Sequence, residues 1–369
     1  MSLPDKQGGM SRPNPAKEQT DMRDFGNALH EIHCGVTFGF YARYGYYESA
    51  AAFEQVDEMA KTGVKWVALI VTIMQEGFAA SRQFHDFEHT PGDLELVGII
   101  DYIHKKGMKV ELRPMLECFD GKGRLGVMFP ADCERMPGLV CDYASRWFDS
   151  MKRRSAYYAK IAEKTGCEMF SLDSELDHII SFNREWKEVL AAVREVYSGP
   201  VTSCHTMHTG VIDFEKVLMD KEHWFYDLDA LSVSNYIKAA DRPGTTVEEM
   251  MAYMIPERDK LRRVAALYGK PVLLGENGCC SCTGAAMDPS GWAADGRYDG
   301  REQANYLEAV LRTFWSEPWW YGLDWWKWDD QNYRPTMKND PAGDKGFTVL
   351  GKPAQEVMRS WFGREDIRR

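Results

Sequence analysis

The 369-residue sequence lacks two patterns that would assign it to a membrane or to a nucleic acid. It contains no run of 18 apolar residues, so no segment reads as a helix that crosses a bilayer. It also lacks an excess of positive charge, because 45 Lys and Arg stand against 56 Asp and Glu, for a formal net charge of −11. Since nucleic acids and anionic membranes are polyanions, we predict neither as a partner, and an acidic solvated surface explains the charge.

The sequence also lacks a disulfide framework and a visible secretory signal. Nine Cys, an odd number, are scattered through a large chain, which is typical of a reducing compartment. Residues 1–30 are polar, with Pro and Gly and without an apolar signal core. We therefore expect a flexible N-terminal segment over residues 1–30 and a cytoplasmic protein, although a secretion signal already removed would leave no trace.

Short apolar runs alternate with amphipathic stretches through the rest of the chain. The predicted strands are His33–Phe40, Val64–Val71, Met108–Arg113, Cys167–Leu172, Pro200–Cys204, Ala230–Ser234, Pro271–Leu274 and Gly322–Trp326. The predicted helices are Ala50–Thr62, Leu94–Lys106, Met151–Lys164, Arg184–Val196, Asp213–Asp220, Val247–Tyr268, Arg301–Trp315 and Pro353–Phe362. Eight alternations predict an α/β fold, a (β/α)8 TIM barrel, as one domain over residues 31–369. Three segments that follow strands are expected to be long loops: Thr72–Gly92, Pro114–Arg135 and Cys279–Gly300.

Two glutamates follow predicted buried strands. Glu276 lies in PVLLGENGCCSC after strand 7, and Glu175 lies in CEMFSLDSELDH after strand 4. A buried, unpaired carboxylate costs several kcal/mol, so each needs a partner or a chemical task. Strand ends meet on one face of a barrel, where two carboxyl groups about 5–5.5 Å apart can cleave a glycosidic bond with retention. The alternative is an ion-paired carboxylate, for which Arg113 in strand 3 is a candidate partner.

Four segments occur in this order along the chain: SLDSEL, SNYI, GENGCCS and YGLDWWKW. Together they resemble clan A glycoside hydrolases, whose acid/base and nucleophile glutamates end strands 4 and 7. Within the clan the chain is most similar to glycoside hydrolase family 113, β-mannanases with a compact barrel, over about residues 33–362. The resemblance implies that Glu175 is the acid/base and Glu276 the nucleophile. It also implies retaining hydrolysis of β-1,4-linked, manno-configured oligo- or polysaccharides without a cofactor.

The resemblance implies further substrate-binding residues. Tyr236, preceded by Asn235, is expected to hydrogen-bond the nucleophile, and Trp326 or Trp328 to stack beneath the sugar that is cleaved. Ser174 stands where many clan members carry an Asn that binds the sugar 2-hydroxyl, so its reach is shorter. Three candidates remain. Arg113 is expected as a basic residue near the catalytic pair, although ion pairing with Asp173 or Glu117 explains it equally well. His205 is expected to contact the sugar, and Tyr41 to provide an aromatic platform.

Two other classes of function fit parts of the sequence. A metal-dependent barrel, an amidohydrolase or a sugar isomerase, would recruit His and carboxylate ligands from Glu111, Asp173, His205, His208 and Asp324. A non-catalytic carbohydrate-binding barrel would keep the aromatic residues but would normally have lost one carboxylate. The thiols of Cys279, Cys280 and Cys282 lack the paired spacing of a zinc site, and we expect no metal.

Overall fold

The computed structural model describes residues 29, 31–130, 133–291, 296–328 and 343–365. The barrel strands are β1 His33–Phe38, β2 Trp66–Gln75, β3 Lys109–Cys118, β4 Met169–Ser174, β5 Val201–Thr206, β6 Leu231–Ser234, β7 Val272–Asn277 and β8 Trp320–Trp325. The helices are α1 Ala50–Thr62, α2 Asp93–Lys105, α3 Tyr143–Thr165, α4 Asn183–Arg194, α5 Phe214–Met219, α6 Val247–Tyr268, α7 Gly300–Phe314 and α8 Pro353–Phe362. The segment predicted over residues 1–30 lies, Leu29 apart, outside the described residues.

The eight strands form a closed parallel barrel, which confirms the predicted fold class. The barrel closes where β1 pairs with β8, with His33 opposite Gly322. Gly322 has a φ of 135°, and a Cβ at this position would lie 2.3 Å from the carbonyl oxygen of His33. The seam therefore requires a glycine. No helix within the described residues is long and apolar enough to cross a membrane.

Strands β2 and β3 extend beyond their predicted ends at Val71 and Arg113. Their pairing continues in register to Gln75 opposite Cys118. The prediction stopped early because polar residues interrupt the apolar run, but the fold satisfies them: Gln75 accepts a hydrogen bond from Trp147 at 3.0 Å. The two ten-residue strands consequently project past their neighbours at the carboxyl end of the barrel, where they carry the loop after β3.

The segment between β3 and β4 contains more structure than the predicted loop. Residues Cys133–Met136 and Leu139–Cys141 form a small antiparallel hairpin. Helix α3 then begins at Tyr143, well before the predicted Met151, and the Asp142 side chain caps it by accepting from the amide of Ser145. Its first two turns are buried through Trp147 and Phe148, which share a face with Met151.

Candidate active site

The two glutamates lie side by side at the carboxyl end of the barrel. Glu276 is in β7 and Glu175 directly follows β4, and their exposed fractions are 1% and 7%. Arg124 Nη2 lies 2.9 Å from Glu175 Oε2 and 3.7 Å from Glu276 Oε1. Because one nitrogen is this close to both, the two oxygens are at most about 6.6 Å apart. The fold thus brings together two carboxyl groups that are 101 positions apart in the sequence.

Hydroxyl groups fix three of the four carboxyl oxygens. Ser174 donates to Glu276 Oε1 at 2.5 Å, and the Tyr236 hydroxyl donates to Glu276 Oε2 at 3.4 Å. Ser234 donates to Glu175 Oε1 at 2.7 Å. Ser174 therefore uses its hydroxyl on Glu276. Each carboxyl group has a defined orientation, as a site that positions reacting groups requires.

Close packing of neighbouring strands explains the glycines that flank Glu276. A Cβ at Gly275 would lie 1.9 Å from the hydroxyl oxygen of Ser232 in β6. A Cβ at Gly278 would lie 2.1 Å from the carbonyl oxygen of Trp326, next to β8. Both distances are far below any van der Waals contact, so β7 can sit between β6 and β8 at the level of Glu276 only with glycine at both positions.

A buried network of charged groups lies beneath Glu276 inside the barrel. Arg113 donates from Nε and Nη2 to Glu111 Oε1, at 2.9 and 2.7 Å, and from Nη2 to Asp324 Oδ2 at 3.1 Å. Asp324 also contacts His33 Nε2 at 2.9 Å. The Nη1 of Arg113 lies 4.0 Å from Glu276 Oε1. Buried charges are tolerated only when paired, and here each has a partner.

Arg113 pairs with neither Asp173 nor Glu117, although it does lie 4.0 Å from Glu276, for which the sequence analysis named it as a candidate partner. Asp173 pairs with Arg154, whose Nη2 is 2.7 Å away, and Glu117 pairs with Arg124. Arg113 itself is 0% exposed and lies within the barrel, in the middle of β3. From this position Arg113 supports Glu276 from below.

The pKa of Glu276 is raised to about 7. Burial is the largest cause, because it disfavours the charged form, and the negative charge of Glu175 adds to it. Arg124, Arg113 and the hydrogen bond from Ser174 act in the opposite direction and lower the pKa. Burial and the charge of Glu175 therefore outweigh the three groups that favour the ionised form of Glu276.

The two candidate tryptophans of strand β8 occupy different places. Trp328 donates its indole N–H to Gln55 Oε1 at 2.8 Å, so its ring packs against α1. The Trp326 ring lies 4.9 Å from the ring of Phe40, in the loop after β1. The Arg124 guanidinium lies 5.6 Å from that same ring of Phe40. Of the two, Trp326 is the one connected to the carboxyl pair.

The remaining candidates divide between the site and the helix layer. Tyr41 is half-buried in the loop after β1. Burial raises the pKa of the Glu117 carboxyl, and the hydrogen bond from the Tyr41 hydroxyl to that carboxyl acts, like Arg124, in the opposite direction. His205 is 1% exposed, and its ring packs 4.8 Å from that of Phe225. Asn235 donates to Glu257 of α6 at 3.2 Å. The structure therefore does not bring His205 or Asn235 to the carboxyl pair, because both side chains leave the barrel outward.

Only two of the five ligands expected for a metal-dependent barrel, Glu111 and Asp324, lie together. Among the described residues, the ligand atoms of His33, Glu111 and Asp324 do lie within 4.8 Å of one another. Arg113, however, already pairs with both of those carboxylates. The others named in the sequence analysis are engaged elsewhere: Asp173 with Arg154, His205 with Asp177 at 3.3 Å and His208 with the Ser234 carbonyl at 3.3 Å.

The thiols that follow Glu276 are buried structural groups. Cys279, Cys280 and Cys282 are at most 5% exposed. Burial raises the pKa of the Cys279 thiol well above its ordinary value, so it is uncharged. Cys280 donates to the carbonyl of Gly291 at 3.4 Å. A buried, uncharged thiol such as that of Cys279 is a poor nucleophile.

Two residues of the site were absent from the sequence analysis. Arg124 lies in the stretch GKGRLG, which resembles an ordinary glycine-rich surface loop. Ser234 lies in the segment SNYI, directly before two residues that were named. Alternation along β6 could have found Ser234, since it shares a strand face with Tyr236. No local pattern distinguishes Arg124 from an exposed arginine.

The family model of Glycoside Hydrolase Family 113 matches residues 36–352. The chain belongs to this family. A solved family 113 β-1,4-mannanase is 27% identical with a TM-score of 0.77, and the alignment covers 91% of this chain and 100% of that one. The family 113 β-mannanase AaManA from Alicyclobacillus acidocaldarius, in complex with ManMIm, is 27% identical with a TM-score of 0.76, covering 92% and 99%. Membership in family 113 makes the chain a glycoside hydrolase.

More distant structures share the fold alone. A family 5 mannosidase from Rhizomucor miehei is 10% identical with a TM-score of 0.60, and the alignment covers 90% of this chain and 93% of that one. A comparison with curated protein sequences gave no match. The family 113 assignment therefore depends on the family model and on the solved family 113 structures.

Proposed function

We propose that this protein is a retaining β-mannanase in which Glu276 is the nucleophile and Glu175 the acid/base. The carrying observation is the carboxyl pair, whose facing oxygens are at most about 6.6 Å apart. This limit fits the spacing of about 5–5.5 Å for retention better than that of about 6.5–9.5 Å for inversion. The related family 113 structures are β-mannanases, which supports a β-1,4-mannosidic substrate.

The reaction follows from the positions of the two carboxyl groups. The ionised Glu276 attacks the anomeric carbon while Glu175 donates its proton to the leaving glycosidic oxygen, and a covalent glycosyl-enzyme forms. Glu175 then removes a proton from water, which attacks the anomeric carbon and releases Glu276. Two inversions at that carbon return the original β configuration.

The surrounding residues prepare Glu276 for attack. Ser174 and Tyr236 each hydrogen-bond one of its oxygens, so the carboxylate cannot rotate away from the anomeric carbon. Arg113 lies 4.0 Å below and favours the ionised form. We assign Trp326 as the aromatic platform for the sugar, because its ring adjoins Phe40 on the side of the carboxyl pair. The two carboxyl groups complete this chemistry without a cofactor.

The assignment of roles is tested with Glu175→Ala and an activated substrate. Dinitrophenyl β-mannoside needs little acid assistance, so its first step should proceed in the variant while the second step becomes slow. Azide should restore turnover by attacking the glycosyl-enzyme, and β-mannosyl azide should accumulate. Glu188→Ala, which removes an exposed glutamate of α4, is the matched control and should need no azide.

The stereochemistry of the wild-type reaction gives an independent check. NMR of the first-formed product should show the β-anomer before mutarotation mixes the two forms. An α-anomer at the earliest time points would mean inversion, and both residue roles would have to be abandoned.

A further inference from the structure

Arg124 occupies the space between the two carboxyl groups. It begins a short 3-10 turn, Arg124–Gly126, in the loop after β3, and its exposed fraction is 8%. One nitrogen, Nη2, lies 2.9 Å from Glu175 and 3.7 Å from Glu276. The other, Nη1, pairs with Glu117. Three carboxyl groups therefore converge on a single guanidinium.

The reacting atoms of a bound substrate would have to lie where Nη2 of Arg124 lies in the free protein. An acid/base must lie about 2.6–3.2 Å from the atom that receives its proton, which is the glycosidic oxygen. The nucleophile must lie about 3–3.5 Å from the anomeric carbon. Nη2 of Arg124 stands at these distances from Glu175 and nearly so from Glu276. The guanidinium and the reacting atoms of a sugar cannot be there together.

We propose that Arg124 is a positioning residue that aligns Glu175 and Glu276 in the free protein and is displaced from between them by the bound sugar. This inference rests on the proposed function, since the displacing group is the mannosyl unit that is cleaved. Arg124 thus takes the place of the substrate until substrate arrives, and it prevents the two carboxyl groups from repelling each other in the empty site.

The surroundings of Arg124 allow its side chain to move while the loop stays in place. Its Nε has no hydrogen-bond partner among the described residues. Movement of the guanidinium away from the two catalytic carboxyl groups therefore breaks only the contacts of Nη2. The pairing of Nη1 with Glu117 can persist and hold the guanidinium at the edge of the site. The backbone is anchored, because the amide of Val127 donates to the carbonyl of Arg124 and that of Met128 to Phe78.

Displacement changes the charge balance around Glu276. The charged and titratable groups that face Glu276 or Arg124 come from the five strands β3 to β7 and the loop after β3. They are Arg113, Glu117, Asp173, Glu175, Cys204, Tyr236, Glu276 and Arg124. Arg124 lowers the pKa of Glu276, so its removal raises that pKa further. The acidic limb of kcat/KM, which reports ionisation of the nucleophile in the free enzyme, should therefore move to higher pH.

The experiment compares Arg124→Met and Arg124→Lys with wild type on manno-oligosaccharides across pH. Arg124→Met should move the acidic limb upward by about 1 unit, as expected for loss of an opposite charge within about 4–6 Å. KM should fall about tenfold, because the sugar no longer breaks a charged hydrogen bond. The value of kcat should change little, because in the wild-type enzyme–substrate complex Arg124 has already left the space between the two carboxyl groups. Arg124→Lys keeps the charge and should restore the limb. Lys122→Met removes an exposed charge from the same loop and should change nothing.

Several results would overturn the inference. A higher KM in Arg124→Met with an unchanged limb would mean that Arg124 binds the substrate instead of yielding to it. An equal shift in Lys122→Met would mean a general effect of charge on the loop. If wild type itself fails on β-mannosides, the proposed function is at fault. In that case the role of Arg124 is tested by a carbon-13 NMR titration of the Glu276 carboxyl group without substrate. Equal titration midpoints of this group in wild type and in both Arg124 variants would refute the role of Arg124.

Discussion

Replacing Arg113 by Met should destabilise the protein more than any exposed arginine replacement. The substitution keeps most of the side-chain volume but leaves Glu111 and Asp324, both 0% exposed, without their shared cation. It also removes the positive charge 4.0 Å from Glu276. Breaking a buried pair by removing one partner costs about 3–5 kcal/mol, and we expect a loss of unfolding free energy in this range.

Equilibrium urea unfolding with linear extrapolation measures this loss. Arg153→Met is the matched control, because Arg153 of α3 is 69% exposed and pairs with the exposed Asp149. Such surface pairs contribute about 0–1 kcal/mol. In the double variant Arg113→Met/Glu111→Gln, one stranded carboxylate becomes a neutral amide, so part of the loss should be recovered. A loss in Arg113→Met no greater than in the control would refute the view that Arg113 neutralises the barrel interior.

Three shorter predictions concern activity. Glu276→Ala should remain folded and lose several orders of magnitude in turnover, since no glycosyl-enzyme can form; a tenth of wild-type activity would contradict its role. Because the nucleophile must be ionised and its pKa is raised to about 7, kcat/KM should fall as the pH drops below about 7, and a profile flat down to pH 5 would count against it. Trp326→Ala should weaken manno-oligosaccharide binding measured by calorimetry, whereas Trp328→Ala should mainly lower the melting temperature, and the reverse pattern would exchange their assignments.

The fold was predictable because its signal is local and repeated. Each strand of the barrel is a short apolar run followed by an amphipathic helix, and eight repetitions leave little choice of topology. The ends of β2 and β3 were missed because polar residues or a proline follow the predicted ends, Thr72 after Val71 and Pro114 after Arg113. Even the last residue of β2, Gln75, is polar, and its partner Trp147 lies 72 positions later in the sequence. The first turns of α3 were missed because Ser145, Arg146, Asp149 and Ser150 are polar and surround the two buried aromatic residues Trp147 and Phe148.

The candidate site was predictable to the extent that strand periodicity determines which way a side chain points. Alternation along β8 places Trp325 on the face opposite Trp326, toward α7, where the structure has it beside Tyr306. The same reasoning applied to β5 would have directed His205 outward, because its neighbour Cys204 faces Gly275 inside the barrel. Arg124 belongs to another category. Its contacts with Glu175 and Glu276 depend on how a loop folds over the barrel, and no residue pattern encodes that.

The charged interior of the barrel has a consequence for the energetics of the reaction. When Glu276 attacks, its negative charge disappears into a covalent bond and then returns. In water, solvent dipoles would have to reorient at each of these steps. Here Glu111 and Asp324 hold Arg113 in one orientation, so its positive charge is already in place when the carboxylate of Glu276 re-forms. A barrel filled with apolar side chains would offer no such preorganised charge to the carboxylate.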